Sequence, residues 1–123
     1  MADILMIEDS PDFAQFVCAV LELEGHRVRR ATRLSEGTTL ARSASPDLVL
    51  LDVTLPDGNG LDFCHEPDLR SLSVIAMTSA TDDDVLQRLQ VDVADFIIKP
   101  ISARGLIEIV NKTLKAQRPE NSK

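Results

Sequence analysis

Four short runs of apolar residues, each followed by polar or turn-forming residues, place the strongest constraint on the fold of this chain. They are ILMI (4–7), LVLL (48–51), SVIAM (73–77) and DFII (95–98). Because the apolar residues do not alternate with polar ones, the pattern is typical of strands covered on both faces, as in a parallel sheet. A fifth stretch, HRVRRA (26–31), is more polar and is typical of an edge strand.

Helical patterns lie between these runs. Ser10 can cap a first helix that has Pro11 at its first position and ends at Gly25. Ser35 opens a second, shorter helix that ends ahead of Pro46. The apolar residues that would face the core are Leu40, Ala41 and Ala44 in this helix, Val85, Leu86 and Leu89 in a helix over 82–91, and Leu106, Ile107, Val110 and Leu114 in a last helix from about residue 102.

The alternation of strands and helices predicts one α/β domain with a doubly wound, five-stranded parallel sheet. The chain of 123 residues has the length of a single domain, which we expect to span 1–117, followed by a flexible C-terminal tail at 118–123. Right-handed crossovers would place the carboxyl ends of all five strands at one edge of the sheet, where ligands bind in folds of this class.

Composition and spacing argue against several classes of function. The formal net charge of -7 at pH 7 disfavours binding to nucleic acid through its phosphates. Cys18, Cys64, His26 and His65 do not form a ligand pattern for zinc. The N-terminus, MADILMIEDS, lacks the features of a signal peptide, and no apolar run approaches the length of a membrane span. We therefore expect a cytoplasmic protein that contacts neither membrane nor nucleic acid.

Polar residues follow the predicted core strands at the edge where ligands are expected. In chain order they are Glu8 and Asp9, Asp52, Thr78 and Ser79, and Lys99 followed by Pro100. Three carboxylates from two strands would repel one another, so they are either spread apart or share a metal ion. Oxygen ligands without His or Cys favour magnesium over zinc. The lysine ammonium and the threonine hydroxyl suit the oxygens of a phosphoryl group, so the set indicates a phosphate site.

Each of these residues also has an ordinary structural explanation when it is taken alone. Glu8 and Asp9 can belong to a solvated loop, and Asp52 can start a turn ahead of LPDGNG. Thr78 can be a simple strand former, and Lys99 can be a surface lysine. Their occurrence at the ends of successive core strands favours the functional interpretation.

As an ordered set, these motifs resemble the receiver domain of two-component response regulators, the chemotaxis-regulator-like family with a (βα)5 flavodoxin-like fold. The resemblance runs from Asp3 to about Ala116. It rests on the acidic pair in ILMIEDS, the aspartate in DLVLLDVTLPDGNGLD, the threonine in VIAMTSA and the lysine-proline pair in ADFIIKPI. It implies a phosphoprotein that carries an aspartyl phosphate in a phosphorelay.

The resemblance implies a role for each residue of the acidic group. Asp52 would be the phosphoacceptor, and its donor would be a phosphohistidine on a sensor histidine kinase or a phosphotransfer protein. Asp9 and Asp52 would bind Mg²⁺ directly, with Thr54 contributing its backbone carbonyl and Glu8 acting through water. Attack by a carboxylate on phosphorus needs such charge neutralisation and little other machinery.

The resemblance also implies how the signal leaves the site. Lys99 and Thr78 would bind the phosphoryl oxygens, and the bond before Pro100 would be a cis peptide. Phe96 would be the switch residue, turning inward as Thr78 moves, unless it is a static core ring. The face formed by the fourth helix, the fifth strand and the fifth helix would then act on a downstream protein that the sequence does not identify.

The stretch between Asp52 and Thr78 is shorter than is usual in this family. Within it, GLDFCHEPDLRSLS has room for only a brief helix. Pro67 disfavours helical geometry at Glu66, because its ring crowds the preceding residue. We therefore expect a short or irregular third helix.

Several functional interpretations remain open. The leading one is a Mg²⁺-dependent phosphoacceptor switch that catalyses only its own phosphoryl transfer and autodephosphorylation, either as a stand-alone regulator or as a fragment of a longer protein. The alternative is a receiver-like scaffold that binds partners without phosphorylation. A haloacid-dehalogenase-type phosphohydrolase is disfavoured, because its second acid would stand where this chain has Thr54. Apolar residues late in the chain either belong to the core or support a homodimer through the fourth and fifth helices: Ile101, Leu106 and Ile109.

Overall fold

Seven β-strands are present in residues 1–79 and 93–116, the parts of the chain that the computed structural model describes. Five of them form a parallel sheet: β1 (Asp3–Ile7), β2 (Arg27–Ala31), β3 (Leu48–Asp52), β6 (Val74–Ser79) and β7 (Asp95–Lys99). The other two, β4 (Thr54–Leu55) and β5 (Gly58–Asn59), pair antiparallel in a small hairpin directly after β3. The predicted five-stranded parallel sheet is thus confirmed.

Three α-helices accompany the sheet in the described residues: α1 (Pro11–Leu23), α2 (Leu34–Ser43) and α3 (Ala103–Ala116). Ser10 caps α1 as predicted, because its side chain accepts a hydrogen bond from the backbone N–H of Phe13 at 3.4 Å. The chain leaves α1 through Gly25, whose φ of 88° lies in the left-handed region that favours glycine.

The start of α2 depends on a residue far away in the sequence. The helix begins one residue before the predicted Ser35, and no side chain of its own residues caps it. Instead, Leu34 N and Ser35 N donate to the two carboxylate oxygens of Asp57 at 2.7 and 3.0 Å.

The prediction that Ala44 faces the core is wrong. This residue is extended and exposed beyond the helix, with its carbonyl accepting a hydrogen bond from Arg29 at 2.7 Å.

The core residues predicted in the last helix are largely confirmed. Leu106 and Val110 are fully buried, while Ile107 and Leu114 are half-buried. Thr113 is buried beside them, and its hydroxyl donates to the carbonyl of Ile109 four residues earlier at 2.9 Å. A polar side chain can lie on this apolar stripe because its hydrogen bond is satisfied within the helix.

The sheet is covered on both faces, as the unbroken apolar runs predict. Ile4 and Met6 of β1 pack on the side of α1 and α3, whereas Leu5 and Ile7 pack on the side of α2. Leu106 is part of the first of these cores, and Ile101 and Ile109 pack against it. These contacts favour the core interpretation of the late apolar residues over the dimer interpretation.

The order of strands across the sheet is β2-β1-β3-β6-β7, which confirms the edge position of β2. The chain moves from β1 to the edge at β2 and then returns past β1 to β3. Strand order therefore reverses between β1 and β3, and a crevice opens at their carboxyl ends. The register places Asp52 opposite Met77 and Ser79 opposite Lys99, so the last residues of β3, β6 and β7 lie along one edge.

The third helix of the sequence prediction lies between Asp52 and Thr78 and is distinct from α3. Its expected short, irregular form is confirmed. Two 3₁₀ segments, Gly60–His65 and Pro67–Leu69, take its place between the hairpin and β6. Glu66 between them is extended, with φ -73° and ψ 119°, as the following proline requires. Arg42 of α2 holds this segment through ion pairs with Glu66 at 2.6 Å and Asp68 at 2.7 Å.

The predicted helix over 82–91 and the tail at 118–123 lie outside the described residues. Within the described parts of the chain, no helix combines the length and apolar character needed to cross a bilayer.

Candidate functional site

Four of the predicted site residues meet at the carboxyl edge of the sheet. Glu8 and Asp9 follow β1, Asp52 ends β3, and Lys99 ends β7. Glu8 and Asp52 are buried, with 0% and 5% of their surface exposed, whereas Asp9 is exposed. The carboxyl edge of the sheet therefore brings together four of the side chains expected there from the sequence.

Three carboxylates form the acidic part of the site. Oxygen atoms of Glu8, Asp9 and Asp52 all lie within 4.8 Å of one another, which makes this the one group of candidate metal ligands among residues 1–79 and 93–116. A set of hard oxygen atoms at this spacing fits Mg²⁺ or another divalent cation. The exposed carboxylate of Asp9 would give such an ion a path from solvent.

The electrostatics of Asp52 reflect this crowding. Burial of the carboxyl, followed by the negative charge of Glu8, raises the pKa of Asp52 from 3.8 to about 7. The Lys99 ammonium and the Thr54 N–H, which donates to Asp52 Oδ1 at 3.1 Å, act in the opposite direction. The pocket thus holds more negative charge than its protein partners neutralise, and this is the charge that a divalent cation would balance.

Lys99 provides the cation of the site. Its Nζ lies 2.7 Å from Glu8 Oε1 and 3.5 Å from Asp52 Oδ2. The ammonium also lies over the ring of Phe13, 4.8 Å from the ring centroid. The peptide bond between Lys99 and Pro100 is cis, the geometry that the resemblance implies.

Glu8 is held by contacts that the sequence analysis did not identify. Its second oxygen, Oε2, accepts a hydrogen bond from Ser10 N at 3.0 Å. The guanidinium of Arg30 donates to the Glu8 carbonyl from Nε at 3.2 Å and from Nη2 at 3.1 Å. Arg30 lies near the carboxyl end of the edge strand β2, and this position in the sequence is the signal that points to it.

The loop after Asp52 is fixed to the strand that precedes it. Gly60 N donates to the carbonyl of Val53 at 2.6 Å. A Cβ atom at Gly60 would collide with the backbone carbonyl oxygen of Asp52, so this close approach requires glycine. Thr54, the residue expected to offer its carbonyl to a metal, is exposed and begins the hairpin.

Thr78 and Phe96 lie on the two strands beyond β3. Thr78 is buried, and its hydroxyl makes a long contact of 3.5 Å to the carbonyl of Ser79. Because Asp52 pairs with Met77, the threonine lies one position further toward the carboxyl edge on the neighbouring strand. Phe96 is 44% exposed, so its ring is not part of the core in this structure.

Comparison with known proteins agrees with this architecture. Residues 4–111 match the family model described as the response regulator receiver domain. The protein PilH of Pseudomonas aeruginosa is 30% identical over 119 residues, which cover 93% of this chain and 98% of PilH. The CheY-like receiver domain protein of Methanospirillum hungatei has 27% identity and a TM-score of 0.87, and each of the two chains is covered to 98%.

Longer regulators match over part of their length. The DNA-binding response regulator MtrA of Mycolicibacterium smegmatis is 33% identical over 95% of this chain, yet the chain spans only 52% of MtrA. The match of the family model, the PilH relationship and the shared fold all point to one conclusion. The chain belongs to the response regulator receiver domain family.

Proposed function

We propose that this receiver domain is a phosphorylation-operated switch in which Asp52 accepts a phosphoryl group from a phosphohistidine on a sensor histidine kinase or phosphotransfer protein. The observation that carries the proposal is the convergence of Lys99 and two further carboxylates on Asp52. A buried carboxylate at a strand end, with an ammonium 3.5 Å away, has the nucleophile and the cation that phosphoryl transfer requires.

In this reaction the Asp52 carboxylate attacks phosphorus, an oxygen–phosphorus bond forms, and the phosphorus–nitrogen bond to the histidine breaks. A divalent cation such as Mg²⁺, held by Asp9 and Asp52 with the Thr54 carbonyl and a water-mediated contact to Glu8, would supply positive charge to the phosphoryl oxygens. Lys99 moves from the carboxylates toward those oxygens. Autodephosphorylation returns the aspartate, so the domain catalyses only reactions of its own acyl phosphate.

The signal leaves the site through a two-state surface. Thr78 donates its hydroxyl to a phosphoryl oxygen, and the space that it vacates admits the ring of Phe96. The exposed position of this ring is the starting state that such a movement needs. The face that includes β7 and α3, together with the segment of the predicted fourth helix, then binds a downstream protein or a second copy of the chain.

The phosphodonor must contact the rim of the pocket, because its histidine has to reach Asp52. A groove of about 410 Å³ adjoins this rim, and its lining is largely apolar, with Ser10 and Asp12 beside Phe13, Phe16, Pro100 and Ile101. We expect the donor protein to occupy this groove during transfer, which takes place in the cytoplasm.

The proposal is tested by incubation with Mg²⁺ and acetyl phosphate, followed by measurement of the intact mass. We expect one phosphoryl group on the wild type and on Asp57→Asn, which removes an exposed carboxylate from the same loop, and none on Asp52→Asn. Absence of the phosphoryl group from the wild type would instead support the receiver-like scaffold, which the shortened third helix favours.

A further inference from the structure

We propose that Phe13 is a positioning residue for Lys99, and that its ring sets the rate at which Asp52 accepts a phosphoryl group. This inference rests on the proposed function. The proposed reaction assigns no role to Phe13, yet the ammonium of Lys99 lies 4.8 Å from the centroid of its ring. An aromatic face attracts a cation at this distance.

The ammonium has partners of two kinds. Glu8 and Asp52 accept from it at 2.7 and 3.5 Å, and the ring of Phe13 faces it as a neutral surface. A ring face attracts the charge without fixing the direction of an N–H bond. The ammonium can therefore turn from the carboxylates toward a phosphoryl oxygen while it keeps its attraction to the ring.

The position of the ring is itself well determined. Phe13 lies in the first turn of α1, where its backbone N–H donates to the capping side chain of Ser10. Its ring packs against that of Phe16, with centroids 6.1 Å apart and planes inclined by 40°. The start of α1 thus carries a fixed aromatic surface to the end of β7.

The side chain of Lys99 needs such a surface because it is not enclosed. It is 23% exposed, whereas its partner Glu8 is fully buried. Without the ring, the ammonium would either settle fully on the carboxylates or turn to water, and both positions are unsuited to receive phosphoryl oxygens. We therefore expect a loss of ring character to lower the maximal rate of phosphorylation and to leave the apparent affinity for acetyl phosphate nearly unchanged.

The first test compares Phe13→Leu with Phe16→Leu, because both remove a ring from the same face of α1 and only Phe13 contacts the ammonium. In NMR spectra of the metal-free protein, the ε-methylene protons of Lys99 should lose their ring-current shift in Phe13→Leu and keep it in Phe16→Leu. Acetyl phosphate replaces the donor protein in the rate measurement, because Phe13 and Phe16 both line the groove proposed for that protein. The maximal rate with acetyl phosphate and Mg²⁺ should fall about three- to tenfold in Phe13→Leu and much less in Phe16→Leu, the range expected for an ammonium–ring attraction.

Two further variants separate electrostatics from packing. Phe13→Tyr keeps the aromatic face and should keep both the Lys99 shift and the rate. Incorporation of 3,5-difluorophenylalanine at position 13 keeps the ring shape and weakens its negative face, so it should lower the rate even if Phe13→Leu fails to fold.

Unchanged ε-methylene shifts of Lys99 in Phe13→Leu would show that the ring does not contact the ammonium. Equal maximal phosphorylation rates in the wild type and all the Phe13 variants would show that Phe13 does not position Lys99. An equal loss in Phe16→Leu would also overturn it, because general loosening of α1 would then explain the effect. If the wild type itself accepts no phosphoryl group, the proposed function fails and the kinetic part of the inference falls with it. The Lys99 spectrum would still decide the contact in that case.

Discussion

Replacement of Asp52 by asparagine should stabilise the metal-free protein, although it removes the residue proposed to carry out the chemistry. Burial and the charge of Glu8 raise the pKa of Asp52 to about 7, so the folded state resists ionisation of this carboxyl. Asparagine has the shape of the protonated acid and no charge to bury. The variant therefore avoids the cost that the wild type meets whenever Asp52 ionises.

The size of this stabilisation follows from the difference between the pKa values of Asp52 in the unfolded and folded states. An increase from 3.8 to about 7 corresponds to about 4 kcal/mol at a pH above both values. Because asparagine also loses the ion pair with Lys99 at 3.5 Å, we expect about 2–4 kcal/mol for the single replacement. For a domain of this size, that is a rise in melting temperature of about 8–16 °C.

The sign of the pH dependence is set by proton uptake. Between the two pKa values the folded state binds more protons than the unfolded state, so wild-type stability falls as pH rises from about 4 to 7. The advantage of Asp52→Asn should therefore be about twice as large at pH 8 as at pH 5.5. Lower pH values are avoided because the sequence pI is about 4.7.

The assay is urea unfolding in EDTA, followed by far-UV circular dichroism because the chain contains no Trp or Tyr. Asp57→Asn is the matched control. Hydrogen bonds from the backbone N–H groups of Ser35 and Leu34 lower the pKa of Asp57, so its charged form stabilises the fold above the unfolded pKa. This replacement should lower stability at both pH values. An Asp52→Asn variant that is no more stable than the wild type at pH 8 would refute the reasoning.

Three further perturbations have expected outcomes. Addition of 10 mM Mg²⁺ should raise the melting temperature of the wild type, because a ligand of the folded state stabilises it. Asp9→Asn should reduce this rise, and an equal rise in both proteins would exclude Asp9 as a ligand. Gly60→Ala should cost about 1–3 kcal/mol in urea unfolding through its collision with the Asp52 carbonyl, and an unchanged midpoint would contradict this. Arg42→Met should speed amide hydrogen exchange at Leu69, whose N–H donates to the Glu66 carbonyl, and unaltered exchange would show that the ion pairs do not hold the segment.

The main features of the fold could be predicted because its strands are buried on both faces. A run such as LVLL is apolar at every position only when both sides of the sheet are covered, and all five residues of β3 are indeed buried. Glu8, Asp52 and Lys99 could be predicted as neighbours for a related reason. Parallel strands with right-handed crossovers bring their carboxyl ends to one edge whatever the details of packing.

Contacts between distant segments could not be predicted in the same way. The cap of α2 comes from Asp57, more than twenty residues after the N–H groups that it accepts from, and no local pattern shows it. The contact of Phe13 with Lys99 depends on the rotation of α1 and on two side-chain rotamers. Such contacts follow from tertiary packing, which residue spacing along one element does not encode.

The shortened third helix shows how such contacts compensate for a missing element. Residues of the 3₁₀ segments still bury their apolar side chains on the α2 face of the sheet, with Phe63 and Leu69 both in that core. On the outer side of the 3₁₀ segments, Arg42 forms ion pairs with the carboxylates of Glu66 and Asp68.

The loop that leads into this segment is anchored by contacts that do not involve the third-helix segment's own ion pairs. Asp57 binds the start of α2, and Gly60 N donates to the Val53 carbonyl beside the site. Because these anchors lie between Asp52 and the first residue of the first 3₁₀ segment, Gly60, a change of length further along the chain need not displace the carboxylate. We therefore expect loss of the Arg42 ion pairs to loosen the segment and to leave the affinity for Mg²⁺ nearly unchanged. Calorimetric titration of Arg42→Met with Mg²⁺ checks this, and a weakened affinity would show that the third-helix segment does support the metal site.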